Sequence, residues 1–264
     1  MSDHQGPVLC DMDTATGIAT ITFNRPGVFN ALDLDTAAAF EEAVARLRKL
    51  PGLRCVCITG AGKAFMAGGD ISAFAADPDN ADRTLERLLN HMHPAILSLR
   101  GLDAPVVAAV TGAAAGAGLS LVLAADYVLA SAESKFVLAY DKLGVAPDCS
   151  GSWFLPRKVG RRMAFEMMLM GPTLSADEAL DAGIVNSVCP GAEFAVNLRA
   201  ILQRIAGGPT RAFGMFKSLM DADLPLAAHL ELERELFVKA TRTADFRSAV
   251  KGFMEKKRPG FEGR

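Results

Sequence analysis

Apolar positions along the chain switch between strand-like and helix-like spacing. Residues 18–23, Ile-Ala-Thr-Ile-Thr-Phe, have the β-branched content of a strand, and Arg25-Pro26-Gly27 ends it. A helix follows: Asp33 or Asp35 can cap it, Phe40, Val44 and Leu47 recur at helical spacing, and Glu41, Arg46 and Arg48 face out until Pro51-Gly52. Residues 54–59 read as a second strand, 60–70 as a glycine-rich loop, about 80–100 as a helix, and 106–110 as a third, buried strand. A further helix opens near Gly116 and leads to a strand around residues 127–130. Ser175-Ala176-Asp177-Glu178 has the form of a capping box for a short helix that Gly183 closes, and residues 185–188 read as one more short strand. After about Gly191 the pattern is helical to the end.

Strands alternating with helices in this way predict an α/β fold with a parallel-rich core. No tandem repeat or low-complexity linker interrupts the chain. The simplest division is a core over residues 1–206 and a helical C-terminal region over 207–264, separated at Gly207-Gly208-Pro209.

Composition narrows the function classes. Half of the 264 residues are hydrophobic, enough for one large core. Net charge is −2 and the basic residues are spread out apart from Lys256, Lys257 and Arg258, so there is no footprint for nucleic acid. A small molecule or a second copy of the chain is the expected partner. The five cysteines, at 10, 55, 57, 149 and 189, form no CxxC pair, which argues against a zinc site or a disulfide framework and for a reducing cytoplasm. Cys55 and Cys57 alternate in an apolar strand and are expected in the core. Residues 104–125 carry no charge, yet Pro105 and glycines 112, 116 and 118 break the run, and Asp103 and Asp126 bracket it. A strand, a turn and a buried helix suit it better than a membrane span, and the first ten residues show no secretory signal.

Four motifs, in order, span nearly the whole chain. They are Asn24-Arg25-Pro26 with Asn30-Ala31-Leu32, then Phe65-Met66-Ala67-Gly68-Gly69-Asp70-Ile71, then residues 105–112 leading into Ala115-Gly116-Ala117-Gly118, and finally Leu155-Pro156-Arg157-Lys158-Val159-Gly160 with residues 174–179. Together they resemble the enoyl-CoA hydratase/isomerase (crotonase) superfamily. The resemblance implies a spiral of repeated ββα units, a helical C-terminal region, and a CoA thioester as substrate with no permanently bound cofactor or metal. It also implies that the thioester enolate is held by the Gly69 and Ala117 amides. The chemistry agrees: backbone N–H groups in glycine-rich loops can approach an oxygen where charge develops, and a helix N-terminus adds positive potential.

The chain departs from the hydratases at the two glutamates that position water, where it has Ser120 and Tyr140. Neither suits general base work at neutral pH. The candidate acid/base is Asp148, in Gly144-Val145-Ala146-Pro147-Asp148-Cys149-Ser150-Gly151; the stretch through Arg157 resembles the ring-epoxide phenylacetyl-CoA isomerases of the family. The plain alternative is a turn aspartate after proline. His93 stands near a position where aromatic-acyl-CoA dehalogenases have a histidine, but Tyr140 replaces their tryptophan and Pro94 follows the isomerase pattern, so His93 is expected to pack or line the pocket. By the same resemblance Phe29, Ala67, Gly68, Asp70, Ile71, His93, Gly116 and Tyr140 contact the substrate, and Phe253 and Lys256 cover the CoA adenine and phosphates. A homotrimer or a dimer of trimers is implied. The activity implied is isomerisation of an enoyl-CoA, with hydration, thioester hydrolysis or simple acyl-CoA binding as alternatives.

Overall fold

The computed structural model describes residues 6–264 except Ala76. The chain opens with strands β1 (Val8–Asp13) and β2 (Ile18–Phe23) and helix α1 (Leu34–Leu47), which Asp33 caps by accepting the Thr36 amide at 2.8 Å. Strands β3 (Cys55–Gly60) and β4 (Ala64–Met66) lead to helices α2 (Ile71–Ala75) and α3 (Ala81–Arg100). Next come β5 (Val106–Val110), β6 (Ala113–Ala115) and α4 (Ala117–Ala124), then β7 (Tyr127–Ser131), β8 (Lys135–Val137) and α5 (Gly151–Met170), which is broken at Gly160. Strand β9 (Thr173–Ser175), helix α6 (Ala176–Asp181) and strand β10 (Ser187–Cys189) complete the sheets. Helices α7 (Phe194–Ala206), α8 (Thr210–Asp221), α9 (Leu226–Ala240) and α10 (Ala244–Met254) follow.

The strands sort into two sheets, one ordered β1-β2-β3-β5-β7-β10 and one ordered β4-β6-β8-β9. β1 is antiparallel to β2 and β9 to β8; the remaining pairings are parallel. Each turn of the chain places its first strand (β3, β5, β7) in the large sheet and its second (β4, β6, β8) in the small one, then a helix returns it. This is a spiral of ββα units, and the glycine-rich stretches are the corners where the chain passes between sheets.

The short strands of the small sheet are absent from the sequence pattern, because three residues such as Ala113-Ala114-Ala115 show neither alternation nor β propensity. β1, with its polar Asp11 and Asp13, is likewise not evident, and β10 lies about two residues later than the apolar run suggests. The capping box at Ser175 and Glu178 is present.

The large sheet is covered on both faces, which explains its continuously apolar strands. Val56, Ile58, Val106, Ala108 and Val110 face a core shared with Phe23, Phe40, Val44, Phe65 and Met92. Cys55, Cys57, Val107 and Ala109 face Leu202 and Ala206 of α7. Both cysteines are buried, as their alternation implies. Among the described residues no helix is long and apolar enough to cross a membrane; residues 104–125 form the end of a loop, β5, β6 and α4.

The C-terminal helices are tied back by polar contacts. Arg54 donates to the carbonyls of Ala206 (2.9 Å), Gly208 (2.6 Å) and Phe261 (3.1 Å). Buried Lys217 of α8 pairs with Asp126 at 2.8 Å and donates to the Leu99 carbonyl at 3.0 Å, while Arg100 bridges Asp126 and Asp221. A buried charge is tolerated only when paired in this way.

Candidate active site

The first loop is shaped by residues 25–32. Asn30 is fully buried with φ +57°, a conformation that asparagine tolerates better than most residues. Its Oδ1 accepts the Arg25 amide at 2.9 Å, and its Nδ2 donates to the carbonyls of Ala61 at 3.0 Å and Ala64 at 2.8 Å. The Ala67 amide donates to the Phe29 carbonyl at 3.0 Å, the Leu32 amide to the Gly68 carbonyl at 2.7 Å, and the Asp70 amide to the Leu32 carbonyl at 2.9 Å. Gly69 is therefore held on both sides while its own amide donates to none of the described residues. Asp70 pairs with Arg25 at 3.0 Å and accepts from Ser72 Oγ at 2.5 Å, and Arg25 also pairs with Asp33. The motif residues Arg25 and Asn30 carry no chemistry, and sequence reading assigned them none; the signal available was a polar residue before the cap of a helix.

The second loop meets the first at glycines. Gly68 has φ +95° and Gly116 has φ +51°, and a Cβ on Gly68 would lie 3.1 Å from the Ala115 carbonyl oxygen and 3.6 Å from Gly116 Cα. The residues that follow them, Gly69 and Ala117, thus stand on adjoining backbone segments. Ala117 is the first residue of α4, so its amide precedes the helix's internal hydrogen bonding and donates to none of the described residues. Its backbone is helical, which any L-residue adopts, so alanine serves there as well as glycine. Two amides without a partner among the described residues, on adjoining segments and one of them at the start of a helix, are of the kind that can serve a carbonyl oxygen that becomes negative.

Near them lies a connected polar cluster on three elements. Tyr140 begins a 3-10 turn after β8 and is nearly buried, Ser120 is on α4 and fully buried, and half-buried Asp148 precedes α5. The Tyr140 hydroxyl donates to Asp148 Oδ1 at 2.5 Å and lies 3.0 Å from Ser120 Oγ. Burial, then the Asp148 charge and its hydrogen bond, push the Tyr140 phenol far above its ordinary range. Burial first, and then Asp148, push the Cys149 thiol well up. Both groups hold their protons, and the phenol presents its own to Asp148. Cys149 (φ +47°) and Ser150 (φ +72°) are consecutive left-handed residues, a strained turn that sets Asp148 just before α5.

The other candidates are dispersed. Phe29 and Ile71 are about half exposed and flank the first loop, Ala67 is exposed and Gly68 buried. His93 is exposed on α3, whereas His91 turns to α1 and bonds Glu41 at 2.7 Å, so the two histidines occupy different faces. Phe253 is 83% exposed near the end of α10, and exposed Lys256 follows it with φ +54°. Within one chain these two do not join the cluster at Asp148 in any hydrogen bond or ion pair among the described residues. No group of three or more metal-ligating side chains occurs among the described residues.

Comparison with known proteins agrees with this geometry. The family model described as Enoyl-CoA hydratase/isomerase matches residues 13–264. A probable enoyl-CoA hydratase of Rhodobacter capsulatus is 38% identical over 96% of this chain and 97% of its own length. A 1,2-epoxyphenylacetyl-CoA isomerase of Escherichia coli K12 is 35% identical over 94% and 96% respectively. The solved structure of an enoyl-CoA hydratase from Polaromonas sp. JS666 superposes with a TM-score of 0.90 at 31% identity, covering 97% of this chain and all of the other. With its spiral of ββα units and paired glycine loops, the chain belongs to the enoyl-CoA hydratase/isomerase, or crotonase, superfamily.

Proposed function

We propose that the protein is an enoyl-CoA isomerase, shifting a double bond or rearranging an aryl epoxide on a CoA thioester. The observation that carries this reading is the bonding among Ser120, Tyr140 and Asp148. The two places where a hydratase would hold water between glutamates are filled by a hydroxyl and a phenol bonded to each other, and the one carboxylate in the cluster is Asp148. In the double-bond shift, the Gly69 and Ala117 amides stabilise the enolate oxygen as a carbon-bound proton leaves, and Asp148 accepts that proton and returns it to a different carbon. Atoms balance within one substrate, so neither water nor a permanently bound cofactor is consumed.

Around this chemistry Phe29, Ala67, Gly68, Ile71, Gly116 and His93 bound the thioester pocket, and Asp70, paired with Arg25, steadies the first loop. Phe253 and Lys256 cover the CoA nucleotide of a neighbouring copy in a homotrimer or a dimer of trimers. Exposed Phe216, Met220, Leu230, Phe237 and Phe253 on α8, α9 and α10 support such an assembly, because so much apolar surface is rarely left uncovered. Five free cysteines fit a reducing, cytoplasmic location. The division at residue 207 agrees with α7 packing on the sheet while α8 begins beyond it.

The name carried by the Rhodobacter relative favours hydration as the second reading. The two separate in a screen of aliphatic and aromatic acyl-CoA thioesters with mass detection. Isomerised product of unchanged mass supports the proposal; a gain of one water on 2-enoyl-CoA, without isomerisation of any 3-enoyl-CoA, overturns it.

A further inference from the structure

The isomerase reading gives Asp148 its task but leaves open what holds a half-buried carboxylate in one orientation without a cation. No Lys, Arg or His pairs with Asp148 among the described residues. The side-chain partner of its carboxylate is a neutral donor, the Tyr140 hydroxyl at 2.5 Å. The phenol is in turn fixed by fully buried Ser120 at 3.0 Å, on a different element, and its ring belongs to the main core. A carboxylate held by a neutral donor keeps a defined position yet is not quenched by a permanent ion pair, a combination suited to a group that takes up and gives back a proton in each turnover.

We propose, resting on the isomerase reading, that Tyr140 is a positioning residue. Its hydroxyl clamps Asp148 Oδ1 so that the other oxygen meets the substrate, and with Ser120 it fills the space in which a hydratase would order water. The clamp selects for the reaction as well as aiding it: a phenol that donates to Asp148 and contacts Ser120 cannot act as a base, so water entering here finds no carboxylate pair. Tyr140 thereby excludes hydration while fixing the base for proton transfer.

The chain has two tyrosines, so a Tyr127→Phe background leaves Tyr140 alone and open to site-specific labelling with 3-fluorotyrosine. Tyr127 bonds Ser187 at 3.1 Å, away from the cluster. The fluorine resonance of Tyr140 is expected to move when Asp148 is changed to Asn, because the acceptor loses its charge; an unmoved resonance overturns the clamp whatever the enzyme's activity. On 3-hexenoyl-CoA, or on the thioester the screen identifies, Tyr140→Phe is expected to lower kcat roughly 10–100-fold, the scale of a slightly misplaced reacting group, while the protein stays folded and coenzyme A affinity holds. The 3-fluorotyrosine protein, which keeps the hydroxyl, should retain far more turnover than Tyr140→Phe. A Tyr140→Phe protein with parental kcat, or one that loses coenzyme A affinity together with kcat, would show a packing role and overturn the proposal. Absence of turnover of every thioester by the parent defeats the isomerase reading, and the resonance still decides the clamp.

Discussion

Gly151, the first residue of α5, lies so close to Ser120 of α4 that a Cβ at Gly151 would stand 2.4 Å from Ser120 Oγ. The closeness of these two residues determines the size of side chain that position 120 accepts. A glutamate there meets the start of α5 instead of an open pocket, and a second glutamate at position 140 adds a like charge beside Asp148. The Ser120→Glu/Tyr140→Glu protein is therefore expected to melt lower than the parent and to hydrate crotonyl-CoA no faster. A folded double variant with a clear gain in hydration would show that the two positions can accept a water pair.

Asp148→Asn keeps the size and much of the hydrogen bonding of the side chain but removes the base. Turnover is expected to fall roughly 10²–10⁴-fold while CoA-ester affinity persists. Exchange of substrate carbon-bound protons with deuterated solvent, where the parent shows it, should stop. Isomerisation at the parental rate would shift attention to His93.

Ala117→Pro deletes one of the two proposed amide donors at a helix position where proline's φ is admissible. A loss of about 10²–10³-fold in turnover is expected, the scale of a missing oxyanion donor. Circular dichroism and CoA-ester binding separate that loss from a distorted loop; a folded variant with full activity removes this amide from the site.

Asn30→Ala leaves the Arg25 amide and the Ala61 and Ala64 carbonyls without their buried partner. Because an unsatisfied buried polar group costs about 1–3 kcal/mol, the variant should unfold at visibly lower urea, by about 2–4 kcal/mol, and lose turnover because Gly68 and Gly69 are less firmly held. Parental stability would mean that water replaces the amide at no cost.

Alkaline pH tests the second face of the large sheet. Burial raises the Cys57 thiol from its ordinary 9.0 to about 12. The unfolded chain therefore loses this proton first, so the stabilisation is complete below pH 9 and is lost as pH rises toward 12. In that window Cys57→Val is expected to lose stability with pH less steeply than the parent, by up to about 1.4 kcal/mol per pH unit. Parallel slopes in urea titrations between pH 9 and 11 would mean that the thiol is hydrated in the folded state.

Sequence alone was enough to place the long elements, because α1, α3 and the strands at 18–23, 54–59 and 106–110 are each long enough to show their period and their caps. It also pointed to the family, and through that resemblance to Gly69 and Ala117 as expected backbone donors and to Asp148 as the expected acid/base. The small sheet was not legible, because three-residue strands take their conformation from neighbours distant in sequence. Nor was the work of Asn30, two of whose partners, Ala61 and Ala64, lie more than 30 residues away. Position 140 read as a vacated glutamate; only the folded chain makes it a donor to Asp148, because that contact joins a turn after β8 to the approach of α5 and is backed by α4. Periodicity and caps are encoded locally, whereas the orientation of a carboxylate depends on groups that only tertiary packing brings within hydrogen-bonding distance.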